Sequence, residues 1–114
     1  MSLPESLHAR IKQQLTAYCE RKLRSDEFRQ VRLAHEIEGL TVTLFQECSS
    51  TEHPGQVLQL AIARFEFDPQ LAMWSLHCRH GNASWYAYRH MEPVRDLGAL
   101  LHAIDTDTTG QFGV

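Results

Sequence analysis

The sequence predicts an α+β domain, with an N-terminal helix, a five-stranded antiparallel meander sheet and a short C-terminal helix. Three observations carry this expectation. Apolar residues recur at helical spacing near both ends of the chain and at period two between them. The strand-like runs of each hairpin are joined by short, glycine-bearing turns, which link antiparallel neighbours. The chain has 114 residues, of which 43% are apolar and 22% charged, enough for one compact core and too little for two. Residues 1–114 therefore read as a single domain.

Leu7, Ile11, Leu15 and Tyr18 form one stripe, with Cys19 beside it, and predict a helix from Leu3 to Leu23. Ser2 and Glu5 stand at capping-box spacing, and Pro4 suits a first helical turn, where its missing N–H costs nothing. Arg24-Ser25-Asp26 reads as the helix exit.

From Arg29 the alternation changes to period two. Val31, Leu33, His35 and Ile37 share one face, and after Gly39 so do Leu40, Val42 and Leu44. A Glu38-Gly39 turn would pair Ile37 with Leu40, His35 with Val42 and Leu33 with Leu44, setting His35 on an apolar face. Residues 48–55 are polar and end in Pro-Gly, the signature of a loop. Gln56 to Phe67 is apolar on both faces and predicts a central strand, or one covered on both sides.

Met73 to His80 and Ala83 to His90 flank Gly81-Asn82 and predict a hairpin with a type II′ turn. The implied register sets Cys78 opposite Trp85 and Leu76 opposite Ala87 on one face. His77 then opposes Tyr86 and Ser75 opposes Tyr88 on the other, with Arg79 beside Ser84. Pro93 stops the strand, and Asp96 caps a helix with the stripe Leu97, Leu100, Leu101 and Ile104. Gly110 suits a helix stop, and Phe112 is expected to fold back on the core.

The C-terminal half carries Trp85-x-x-Tyr88, then Asp96-Leu97-x-x-Leu100-Leu101-x-x-Ile104-Asp105-x-Asp107-x-x-Gly110-x-Phe112. Upstream stand Arg10-Ile11, Tyr18-Cys19-Glu20, Gly39-x-x-Val42-Thr43-Leu44-Phe45-x-Glu47 and Ala63-Arg64-Phe65. Together these motifs resemble an uncharacterised bacterial family, the domain of unknown function 3024, over nearly the whole chain. The resemblance supports the fold and implies no activity, cofactor or catalytic residue.

Net charge is −3, but its distribution is uneven. Residues 1–32 hold seven of the eleven basic residues against four acids, and the rest of the chain is acidic. A basic helix packed beside its own acidic sheet accounts for such asymmetry, so nucleic acid is not the expected partner. Cys19, Cys48 and Cys78 form no CxxC pair and suit free thiols in a reducing compartment. No apolar run approaches the roughly 18–20 residues that span a bilayer, and the N-terminus lacks a secretory pattern. A cytoplasmic location without membrane attachment is expected.

Asp105-x-Asp107-x-Thr109-Gly110 copies the opening of a calcium loop, but these Asp and Thr side chains are expected instead to satisfy the last turn of the helix before a glycine stop. Cys78 and His80 share a strand face, yet no spacing supplies further zinc ligands. No cofactor is expected. No nucleophile, zinc-protease or phosphate-loop motif is present, so catalysis is not the leading expectation.

Two amphipathic helices can cover only one face of such a sheet. The leading expectation is therefore a non-catalytic interaction module, homodimeric or bound to another protein through the bare face. Its candidate residues are His77, Arg79, Tyr86 and Tyr88, with Arg64 from the third strand. One alternative is polyanion binding through the basic first helix and Arg24, Arg29 and Arg32. Another is a small-ligand or enzymatic pocket near His35, whose imidazole sits among apolar neighbours.

Overall fold

A computed structural model of the protein describes residues 1–25, 29–50, 52, 55–79, 84–89, 91–107 and 112. The elements are α1 (Glu5–Arg21), β1 (Arg24–Ser25), β2 (Arg29–Glu38), β3 (Thr41–Ser50), β4 (Val57–Asp68), β5 (Met73–Cys78), β6 (Tyr86–Ala87) and α2 (Leu97–Asp105). The sheet runs in chain order from β1 to β6, and every neighbouring pair is antiparallel. Strands β2 to β6 are the expected five-stranded meander. The two-residue β1 adds to its edge, where only a helix exit was expected.

Helix α1 begins at Glu5 rather than Leu3 and ends at Arg21 rather than Leu23. The capping box does not form. Pro4 takes the N-cap position with φ −55° and ψ 144°, and no side chain caps the first turn. Proline lacks an N–H but still offers its carbonyl, which accepts from the His8 N–H at 2.8 Å. Leu3, freed from the helix, is buried in the core. At the other end of the chain Asp96 caps α2 as its sequence implies, its Oδ1 accepting the Gly98 N–H at 2.9 Å. The two helices meet closely at Gly98, where a Cβ would come within 2.7 Å of Gln14 Nε2.

The first hairpin turns at Gly39-Leu40, because Glu38 pairs with Thr41 and Ile37 with Val42. Gly39 supplies the positive φ of 58° that the turn requires. His35 thus pairs with Leu44 and Leu33 with Gln46, two residues away from the expected partners. A slip of two preserves the side-chain parity, so the expected division of faces holds. Between β3 and β4 a bulge at Leu44/Phe45 inserts Ile62, which is buried.

One face of the sheet, bearing Leu33, Val42, Leu44, Phe65, Trp74, Leu76 and Tyr88, forms a single core with Ile11, Leu15, Tyr18 and the α2 stripe. Each such fully buried side chain contributes about 1.5–3 kcal/mol. Phe112 joins the core as expected, its ring 5.1 Å from that of Tyr88. The N-terminal part of β4 departs from expectation. Register places Leu58 and Leu60 on the helix-bearing side, yet they are 76% and 49% exposed, so the helices leave that end of the sheet uncovered. Among the described residues no helix is long and apolar enough to cross a membrane.

Candidate functional site

Among the described residues the second face of the sheet has no helix over it, and its side chains follow from strand parity. Across β2, β3, β4, β5 and β6 one row reads Glu36, Thr43, Arg64, His77 and Ala87. The row on one side reads Glu38, Thr41, Glu66 and Ser75; on the other Ala34, Phe45 and Ala61 stand in line. Arg32 and Glu47 follow, joined by an ion pair of 2.8 Å, with Gln59 Nε2 donating to the same carboxylate.

His77 and Arg64, both expected here, stand directly opposite one another. His77 Nε2 lies 2.7 Å from Glu66 Oε2 and 3.0 Å from Ser75 Oγ, so this histidine is already partnered within the face. Arg79 also belongs to the face. Its guanidinium carbon lies 4.9 Å from the centre of the Trp85 ring, and that of Arg64 lies 5.9 Å from the same ring. Both are cation–π contacts, each contributing about 0.5–1 kcal/mol or more as water is excluded. The Nε atoms of Arg64 and Arg79 are shielded from solvent and have no acceptor among the described residues.

Tyr86 and Tyr88 do not belong to this face, and Trp85 does. The second hairpin pairs His77 with Ala87 and Cys78 with Tyr86, one residue away from the expected register. A slip of one moves every side chain of the returning strand to the opposite side. Tyr88 is consequently buried, with its hydroxyl donating to Asp107 Oδ1 at 3.0 Å. Burial and that bond push its pKa up. Tyr86 lies on the Cys78 side and makes a side-chain hydrogen bond with it. The physical reason is the match to Tyr88: its ring finds Phe112, and its hydroxyl finds a carboxylate. The proposed Gly81-Asn82 turn lies outside the described residues.

His35 is half-buried beside a groove of about 400 Å³ between α1 and the edge of β2, lined by Thr16, Cys19, Leu23 and Ala34 among others. Burial lowers its pKa, and the nearby Lys12 charge lowers it further. Burial raises the Cys19 thiol to about 11, so it is not an activated nucleophile. A larger cavity, about 570 Å³, opens between α1 and the entry to α2, beside Arg10, Trp74 and Arg95.

Of the basic segment, Arg32 pairs with Glu47, while Arg21 and Lys22 lie over the Tyr18 ring. The side chains of Arg24 and Arg29 lie outside the described residues. Asp105 and Asp107 accept the hydroxyls of Tyr18 and Tyr88, so both carboxylates work as core latches; Thr109, Gly110 and His80 lie outside the described residues.

The family model for the domain of unknown function 3024 matches residues 3–113. The chain belongs to that family. No curated protein and no solved structure matches it. Membership of the domain of unknown function 3024 family brings a fold-length match and no assigned chemistry, so the open face must be interpreted from its own residues. Sequence reasoning missed Trp85 there because Trp85, Tyr86 and Tyr88 put aromatics on both faces of the strand. Parity alone could not tell which side was buried. Glu36 and Phe45 were legible as outward-facing positions opposite Ile37 and Leu44, although nothing in the pattern marked them out.

Proposed function

We propose that this domain is a non-catalytic protein-interaction module whose working surface is the sheet face opposite the helices. The observation that carries this reading is the pair Arg64 and Arg79. Both guanidiniums lie at one half-exposed tryptophan ring, and neither has a carboxylate partner among the described residues. Arginine and tryptophan are the residue types most enriched at the energetic centres of protein interfaces, where stacking and charge-assisted hydrogen bonds combine. A carboxylate arriving from a partner would satisfy shielded donors that the chain itself leaves open.

Phosphate-rich partners fit less well, because the net charge of −3 opposes a polyanion. The three free thiols suit a reducing compartment, and we place the protein in the cytoplasm on that basis.

Site-specific photo-cross-linking tests the reading. A photoreactive residue at Ala87, on the open face, is expected to give protein adducts in cells, whether to a second copy or to another chain. The same residue at Gln13, exposed on α1, is expected to give none. Arg79→Ala and Trp85→Ala should each diminish the Ala87 adducts. Equal labelling from both positions, or none from Ala87, would sink it.

A further inference from the structure

The larger cavity, about 570 Å³ between α1 and the entry to α2, lies on the helix side of the sheet and differs from the open face in its chemistry. Its volume falls in the range of about 300–1,000 Å³ that small-molecule sites occupy. Leu7, Arg10, Ile11 and Gln14 recur on α1 at spacings of three and four, so they share the helix face that forms one wall. Arg95 and Leu97 face them from the entry to α2, and Trp74 reaches the cavity from β5. Two backbone bonds hold that entry in place. The Trp74 N–H donates to the Val94 carbonyl at 2.6 Å, and the Val94 N–H donates back at 2.9 Å.

The polar groups of the lining are mostly donors. Arg10 and Arg95 make no ion pair among the described residues. The amide of half-buried Gln14 brings two further N–H donors. Asp96, the carboxylate in the lining, already accepts the Gly98 N–H as the cap of α2. Two guanidiniums against that carboxylate leave the described lining with a formal charge of +1. The start of α2 adds partial positive charge at the same place. Between these groups the wall is apolar, through Leu7, Ile11, Leu97 and Trp74.

We infer that this cavity binds a small organic monoanion, a carboxylate carried on an apolar body. The carboxylate would lie between Arg10 and Arg95, whose planar forks match its two oxygens. The body would cover the leucines, Ile11 and the edge of Trp74. A single negative charge balances the lining, whereas a phosphate monoester would overshoot it and inorganic phosphate would leave the apolar wall uncovered. Both arginines are exposed, so each charge pairing by itself is modest and the apolar body supplies a large share of the affinity. The site shares no residue with the Arg64, Arg79 and Trp85 cluster, so its occupancy is independent of the interaction-module reading.

Titration of the isotope-labelled chain with octanoate and with phenylacetate, followed by nuclear magnetic resonance, tests this. Either acid is expected to move the amide signals of Gln14, Arg95 and Leu97 and the indole signal of Trp74. Thr43 and Ala87, on the open face, should stay in place. The neutral counterparts, octanol and phenylacetamide, should bind several times more weakly. Replacing both arginines, Arg10→Gln with Arg95→Gln, should weaken the acids about tenfold or more. Ala17→Trp, which sets a large ring into the lining, should remove binding. Circular dichroism confirms that each variant is folded. The double glutamine variant alters only exposed side chains and keeps the test valid if Ala17→Trp disturbs α1.

Cavity signals that neither acid moves at millimolar concentration overturn the inference. So do neutral counterparts that bind as tightly as the acids, a double glutamine variant that binds like the wild type, or shifts confined to the open face. None of these results touches the Ala87 cross-linking, which tests the interaction-module reading separately.

Discussion

The Tyr18 hydroxyl donates to Asp105 Oδ1 at 2.9 Å, tying the middle of the core to the last residue of α2. Lys22 Nζ reaches the same oxygen at 2.6 Å. The first helix therefore holds the second through a neutral and a charged donor that share one acceptor. Burial pushes the Tyr18 pKa well above its ordinary range, so its proton stays available to the carboxylate.

Removing that hydroxyl should show as lost stability. Tyr18→Phe keeps the buried ring and leaves Asp105 with Lys22. We expect a loss of about 1–2 kcal/mol, measured as a lower urea midpoint with an unchanged slope. Asp105→Asn should lose a similar amount, and the double variant should lose less than the sum of the two.

The same latch predicts an acid response. Burial alone would raise the Asp105 pKa, but the Lys22 and Tyr18 hydrogen bonds hold it below the ordinary value of 3.8. A carboxyl depressed in the folded state contributes stability fully above its unfolded pKa and loses it as pH falls through the folded one. Wild-type stability should therefore drop as pH falls below about 4. In Asp105→Asn that part of the slope should vanish in urea titrations at a series of pH values.

His35 adds a second response on the acid side of neutrality. Its folded pKa is lowered from 6.5, by burial first and by Lys12 second. The unfolded chain therefore takes up the proton more readily. This contribution is present above the unfolded pKa and is lost as pH falls through the lower folded value. Imidazole proton shifts should give a midpoint under 6.5. Lys12→Gln should move that midpoint part of the way back while leaving the fold unchanged.

The register of the second hairpin is readable by fluorescence. Trp74 is 1% exposed, whereas Trp85 is half-exposed on the open face. Acrylamide should quench the emission of Trp74→Phe strongly and that of Trp85→Phe weakly. The opposite order would mean that Trp85 is the buried ring, and would restore the register that a Gly81-Asn82 turn implies.

The C-terminal contact should be costly to remove. Phe112 is buried against Tyr88, and truncation to alanine leaves a ring-sized cavity in a shared core. Phe112→Ala should destabilise the chain by about 3–5 kcal/mol, seen in thermal or denaturant unfolding. Tyr88→Phe should lose about 1 kcal/mol, because the bond to Asp107 goes while the buried ring stays.

The sequence by itself determined the kinds of element, their order, and the faces of the first hairpin. Leu33, His35, Ile37, Val42 and Leu44 alternate so regularly that a turn displaced by one residue slips the pairing by two and leaves every side chain on its expected side. It also determined the capped α2 stripe, because Asp96 and the leucines that follow are local signals. The start of α1 escaped it, since Ser2 and Glu5 had the spacing of a cap but Pro4 took that place.

Only the tertiary structure decided the second hairpin, and with it the composition of the open face. Residues 85–88 carry aromatics on both sides, so period two offers no preference. The choice fell to Phe112 and Asp107, which arrive from the far end of the chain to receive Tyr88. With Tyr88 turned inward, Trp85 had to turn outward, between two arginines whose strands alone gave no hint of sharing a ring.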